Sequence, residues 1–316
     1  MRTVHLFRLS IIIAVALFNH SCVKTKLSGC HPEYSPGSQQ DWSLPWNLGV
    51  AFNPANDSDF ACLRNGTVYV FHLGSDTMHA YSSQQNGAAA NFLLGWCPGN
   101  QLALNYGEAI YTSNTDGSNL SLLADKGSLQ LSLPYSCIKP VDVTTHFLGG
   151  PFSELVKTDL VYTHTDGSFT LIDTLYGIRT FSVNTDGRIA VPYNRKFVNI
   201  YNNNNLLSDS HRLIADESVM TGIRVICWAG ADKIAWADDT GIFLTDVNTW
   251  STTALQTATE HTEYLNLSGS ANGQFIAATY RTYNCAHYSD LVPNTTNPEL
   301  HLINTQTGED HYVGAY

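Results

Sequence analysis

Beyond residue 46 the hydrophobic positions fall into short runs of about five residues. Many of these alternate with polar ones, and all are bounded by Gly, Asn or Asp. No stretch keeps apolar positions at helical spacing over three turns, so the pattern predicts an all-β chain. The clearest unit is 223–256. It holds Ile223-Arg224-Val225-Ile226-Cys227-Trp228, then Ala231 to Trp236, then Gly241 to Asp246, then Thr252 to Leu255. Four strands fit it, with turn formers at each junction in the lengths that hairpins prefer.

The same frame can be laid on the rest of the chain. With the small or apolar residue at the centre of each second strand as marker, it gives Ala61, Ala103, Val161, Ala190, Ala235 and Ala277, in steps of 42, 58, 29, 45 and 42. A period in the forties with four strands per unit predicts a six-bladed β-propeller of antiparallel blades. The uneven pair of steps is read as an insertion, Pro134 to Thr158, between the first and second strands of the third blade, whose outer part after Asp173 is then short. A second insertion, Tyr280 to Pro298, falls between the second and third strands of the last blade.

Trp96-Cys97-Pro98-Gly99-Asn100-Gln101-Leu102-Ala103 and, after it, Ala109-Ile110-Tyr111-Thr112-Ser113-Asn114-Thr115-Asp116-Gly117-Ser118 resemble the TolB-type, WD40-like propeller repeat. Asn184 to Ala190 and Ala271 to Ala277 repeat its first half, and Asp246 to Trp250 and Asn304 to Gly308 its second. The resemblance spans roughly 47–313 and implies the fold rather than an activity, because its motifs specify tight turns. Asp116, Asp166 and Asp186 are accordingly read as turn residues. Most blades lack the repeat's Trp, and the α/β domain that precedes the propeller in TolB itself is absent.

The chain begins differently. Arg2 and Arg8 precede the apolar run Leu9 to Phe18, which has the form of a secretory leader and is short for a membrane span. Asn19-His20-Ser21-Cys22 resembles a bacterial lipobox, which makes Cys22 the lipidation site. The competing reading is an ordinary signal peptide with an unmodified Cys22. The expected organisation is a lipoprotein signal peptide at 1–21, a tether rich in Pro, Ser and Gly at 22–46, and the propeller at 47–316. Only 14% of residues are charged, and the formal net charge is −11 with no basic run, so a nucleic-acid partner is excluded. Of seven cysteines, Cys22 is assigned to lipid. Cys30, Cys62, Cys97, Cys137, Cys227 and Cys285 remain, with Cys62 and Cys227 read as core residues, and Cys137 and Cys285 as loop residues.

Long loops on a rigid scaffold are where binding concentrates. The Tyr280 to Pro298 insertion offers Arg281, Tyr283, His287 and Tyr288, a flat aromatic surface with paired polarity suited to peptides or sugars. The first insertion carries His146, Gly149-Gly150, Phe152 and Glu154. The histidines His72, His79, His164, His211, His261, His287, His301 and His311 are dispersed with no metal-binding spacing. The inferred channel strands carry one charge, Arg224, and no nucleophile elbow or phosphate loop is present. The sequence therefore predicts an outer-membrane lipoprotein of the cell envelope, monomeric and facing the periplasm. It would bind an envelope protein or glycan, with no catalytic residues, no metal and no cofactor. The alternative is a metal-dependent carbohydrate-active enzyme of the propeller polysaccharide lyase type.

Overall fold

The computed structural model describes residues 49–315 except 74–76, 86, 98, 108, 126–135, 141–145, 152–156, 165–167, 177–179, 205, 215–221, 259–261, 285–291 and 294–298. The tether and Cys22 lie outside the described residues. The described chain is a β-propeller of antiparallel meanders. The first sheet runs β1 (Val50–Asn53), β2 (Asn56–Arg64), β3 (Thr67–His72), β4 (Thr77–Ser82). A small hairpin, β5 (Gln84–Gln85) with β6 (Ala88–Ala89), leads to a second sheet: β7 (Phe92–Cys97), β8 (Gln101–Tyr106), β9 (Ala109–Asn114), β10 (Ser121–Asp125). The third holds β11 (Ser136–Pro140), β12 (His146–Pro151), β13 (Lys157–His164), β14 (Phe169–Tyr176). Then follow β15 (Ser182–Val183), β16 (Ile189–Tyr193), β17 (Phe197–Tyr201), β18 (Leu207–Arg212) and, as the next sheet, β19 (Val225–Trp228), β20 (Lys233–Asp238), β21 (Gly241–Asp246), β22 (Thr252–Thr257). The last sheet has five strands: β23 (Thr262–Gly269), β24 (Phe275–Asn284), β26 (Glu299–Asn304) and β27 (Asp310–Ala315) form the same meander, and β25 (Val292–Pro293) pairs with β24.

Five of the six sequence markers sit where they were placed. Ala61, Ala103, Ala190, Ala235 and Ala277 lie within second strands and are wholly buried. Four of them explain the preference for a small residue, because each faces the next blade's bulky side chains. Ala61 shares a buried cluster with Leu93 and Trp96, Ala190 with Trp228 and Trp236, Ala235 with Tyr264, and Ala277 with Phe52 and Phe60. At close-packed density a larger group there would force the sheets apart.

The third blade corrects the sequence reading. The supposed insertion Pro134 to Thr158 contains that blade's own first two strands, β11 and β12, and Val161 belongs to the third strand, where it pairs with Gly149 of β12. Taking Gly149 as the marker gives steps of 42, 46, 41, 45 and 42, so the spacing is nearly even. Cys137 lies in β11 rather than a loop, and β14 extends past Asp173 to Tyr176. Cys62, Cys97 and Cys227 are buried in strands, while Cys30 and Cys285 lie outside the described residues.

First strands form the inner layer, with β1 packing against both β7 and β23, and β19 against both β15 and β23. Among the described residues the first and last sheets share no strand. They meet through Val50, Phe52, Leu300 and Leu302, the Phe52 N–H donating to Ser268 Oγ at 2.9 Å, and the Asn272 N–H donating to Asp57 Oδ1 at 2.8 Å. The first-to-second and third-to-fourth turns lie on one face. Turn chemistry there is as expected: Asp116 and Asp186 accept the N–H groups of Ser118 and Arg188 at 2.9 and 3.0 Å. On the opposite face Asn65-Gly66, with φ of +47° and +73°, closes β2 onto β3 as a two-residue turn.

Candidate functional site

That opposite face carries the one long excursion the sequence placed correctly. β24 has ten residues, and its far end leaves β26 to pair with β25, Tyr283 opposite Pro293 and Asn284 opposite Val292. Within the pairing with β23, Arg281 stands opposite Glu263 in register. The backbone thus places Arg281 and Tyr283 on one projecting strand. His287 and Tyr288 lie outside the described residues.

At the root of this projection is a polar network absent from the sequence reading. His301 of β26 is buried, and its ring stacks on Tyr280 with centroids 4.3 Å apart. Its Nδ1 lies 2.8 Å from Asp310 Oδ1 and 3.1 Å from the Tyr280 hydroxyl, and its Nε2 lies 3.4 Å from Glu299 Oε2. Asp310 reaches across the seam, accepting from Gln256 Nε2 of β22 at 2.6 Å. Antiparallel register brings these groups together: Glu299 and His301 are two apart on β26, Tyr280 pairs with Glu299, and the small Ala278 opposite His301 leaves room for the ring stack. Burial, together with the nearby Asp310 carboxylate, pushes the Tyr280 hydroxyl well above its ordinary range. Tyr264, edge-on to Tyr280, is raised chiefly by burial, with Asp238 and Asp310 adding to it.

Both nitrogens of His301 face carboxylates inside the protein, so the network ties β22, β24, β26 and β27 together and leaves no nitrogen of this ring directed at a ligand. Among the described residues, His72, His211 and His311 have partners elsewhere. His72 pairs with Asp59 at 2.5 Å on the surface, His311 with Glu309 at 3.4 Å, and His211 stacks on Trp250. Among the described residues no group of three His, Cys, Asp or Glu is arranged to hold a metal ion. Arg224, the one charge expected in the channel strands, pairs with Asp239, and β23 begins early enough to add Glu263 to the inner layer.

The sheets define the chain as a β-propeller with four-stranded blades, and superposition on one solved structure agrees. A calcium-binding protein, regucalcin from Agrobacterium tumefaciens str. C58, superposes with a TM-score of 0.53 at 11% identity, over 77% of this chain and 84% of that one. The WD40 β-propeller domain of Doa1 gives a TM-score of 0.47 at 12% identity, over 73% and 75% of the two chains. A chain of the mitotic checkpoint complex gives 0.46 at 14% identity, over 89% and 79%. No family model and no curated protein matches the sequence.

Proposed function

We propose that this chain is an envelope lipoprotein whose propeller, of six blades when the five-stranded last sheet is counted with the others, is a non-enzymatic platform for an envelope protein or glycan. The observation that carries the reading is the β24–β25 projection. It is an excursion bearing Arg281 and Tyr283 on a face where Asn65-Gly66 and Asp239-Thr240 close other blades in two residues. Its root, at Tyr280 and Glu299, carries the His301 network. The leader at 1–21 and the lipobox-like Asn19 to Cys22 support export and acylation at Cys22, with the monomer held on the periplasmic side of an outer membrane.

Two measurements on the full chain test this. Metabolic labelling with a fatty-acid probe should mark the protein and not its Cys22→Ser variant, which should move to the soluble fraction; equal labelling of both would remove the anchor. A photo-crosslinking residue in place of Tyr283 should trap an envelope partner, and the same residue in place of the exposed Ala80 of the outer strand β4 should not. Identical patterns from the two positions would remove the platform.

A further inference from the structure

The geometry points to a second binding site, for carbohydrate, at the outer rim where the β15–β18 and β19–β22 blades meet, built from Trp250, His211 and Asp209. The starting observation is a repeat position filled against its own rule. In the β26–β27 turn, Asn304 Oδ1 accepts the N–H groups of Gln306 and Thr307 at 2.9 and 3.1 Å. The Asn304 carbonyl accepts the N–H of Gly308 at 2.8 Å, and Gly308 has φ +71°. The β21–β22 turn repeats this bond for bond. Asp246 Oδ1 accepts from Asn248 and Thr249 at 2.9 and 3.1 Å, and its carbonyl accepts from Trp250 at 2.7 Å, with φ +55°. The largest side chain therefore occupies a left-handed position that the same turn elsewhere gives to glycine.

What this placement achieves lies across the seam. Trp250 Nε1 donates to Asp209 Oδ2 of β18 at 2.9 Å, and the indole stacks on His211, centroids 4.4 Å apart and planes 10° from parallel. Asp209 and His211 are two apart on an edge strand. The site is not closed by its internal bonds. Each Asp209 oxygen accepts one N–H, from Ser210 at 2.7 Å and from Trp250, and each keeps a second lone pair. Thr249 and Ser251, hydroxyls 2.8 Å apart, flank the indole.

A flat ring pair held by a carboxylate, with neutral hydroxyls beside it, matches the two-sided chemistry of a pyranose. The apolar C–H face of the sugar packs on aromatic surface, whose face is electron-rich, and its hydroxyls donate to the free lone pairs of Asp209. Fixing the rings beforehand removes the ordering cost of binding. This rim belongs to the face opposite the β24–β25 projection, so it stands independently of the function proposed above.

Isothermal titration of the full chain in detergent with maltohexaose, cellohexaose and chitohexaose tests the assignment. At least one should bind saturably in the range of about 0.1 to 5 mM. Trp250→Gly, which restores the residue of the sister turn, and His211→Ala should each weaken that binding about tenfold or more. The unliganded Trp250→Gly protein should melt within about 3 °C of the parent. The proposal is overturned if none of the three sugars binds up to about 10 mM, or if either variant binds as the parent does. It is equally overturned if Trp250→Gly melts lower by more than that margin, which would assign the ring pair to holding the blades together.

Discussion

Trp228 and Ser182, on the first strands of adjacent blades, are joined twice. The Trp228 N–H donates to Ser182 Oγ at 3.0 Å, and its indole N–H donates to the Ser182 carbonyl at 3.2 Å. Two other seams use one half of this device each. Trp96 donates its indole N–H to the Ala51 carbonyl at 2.8 Å, and the Phe52 N–H donates to Ser268 Oγ at 2.9 Å. Ala51, Ser182 and Ser268 are equivalent, since each pairs with the buried alanine of its own second strand.

Buried groups left without partners are costly, so Trp228→Phe and Ser182→Ala should each destabilise the protein by about 1–2 kcal/mol. Each variant removes one of the two bonds and leaves the other in place, so the double variant should lose about the sum of the two. Urea unfolding of the four proteins measures this; a clear departure from additivity would mean that the two bonds are coupled.

Ala277 is wholly buried at the seam that closes the ring, whereas Ala80 on the outer strand β4 is exposed. Ala277→Leu should cost about 1–3 kcal/mol or more through overpacking against Phe52 and Phe60, and Ala80→Leu should stay within about 0.5 kcal/mol of the parent. Thermal melting of the pair separates seam packing from a general effect of added apolar bulk.

Gly117 and Gly107 both have positive φ, +82° and +59°, but differ in surroundings. A Cβ on Gly117 would stand 2.6 Å from the Tyr81 ring, while one on Gly107 meets nothing within 4 Å. Gly107→Ala should therefore cost about 1 kcal/mol, from backbone strain alone, and Gly117→Ala distinctly more. Equal losses by chemical denaturation would show that Tyr81 moves aside freely.

Two aspartates should give opposite pH dependence. The N–H groups of Thr249 and Asn248 hold the Asp246 carboxyl below its ordinary 3.8, so its contribution is present above that pH and lost as pH falls through the lowered value. Burial pushes Asp238 above 3.8 against the hydrogen bonds from Thr240, with Asp239 adding to the rise. The folded state then holds that proton more tightly, and stability is lost as pH rises through the raised value. Melting curves from pH 3 to pH 7 should show Asp246→Asn falling behind the parent as pH rises, and Asp238→Asn gaining on it. Parallel curves would mean that neither carboxyl titrates differently in the folded protein.

Much of the scaffold was legible because its determinants are local. Asn-x-Asp-Gly turns and alternating runs located most strands, and small central residues marked five second strands. The β11–β14 blade was hidden because its first two strands contain Pro140, Gly149, Gly150 and Pro151, residues that read as loop by propensity yet are carried by pairing with neighbours. His301 looked isolated for a related reason. Its partners Asp310 and Gln256 are brought to it by strand pairing and a blade seam, neither of which leaves a spacing in the sequence. Trp250 did carry a readable signal, since aligning Asp246 to Trp250 with Asn304 to Gly308 sets a tryptophan against a glycine.

The direction of the first strand has a consequence for orientation. β1 starts at Val50 on the face from which β24 projects toward β25 and runs toward the face of the aspartate turns. A lipid anchor upstream of Val50 would then join the body from the projection's side, and its shortest path turns that side toward the bilayer. The aspartate turns and the Trp250 rim would look away from it, so the two surfaces would sample different neighbourhoods, one close to the membrane and one in the open space beyond.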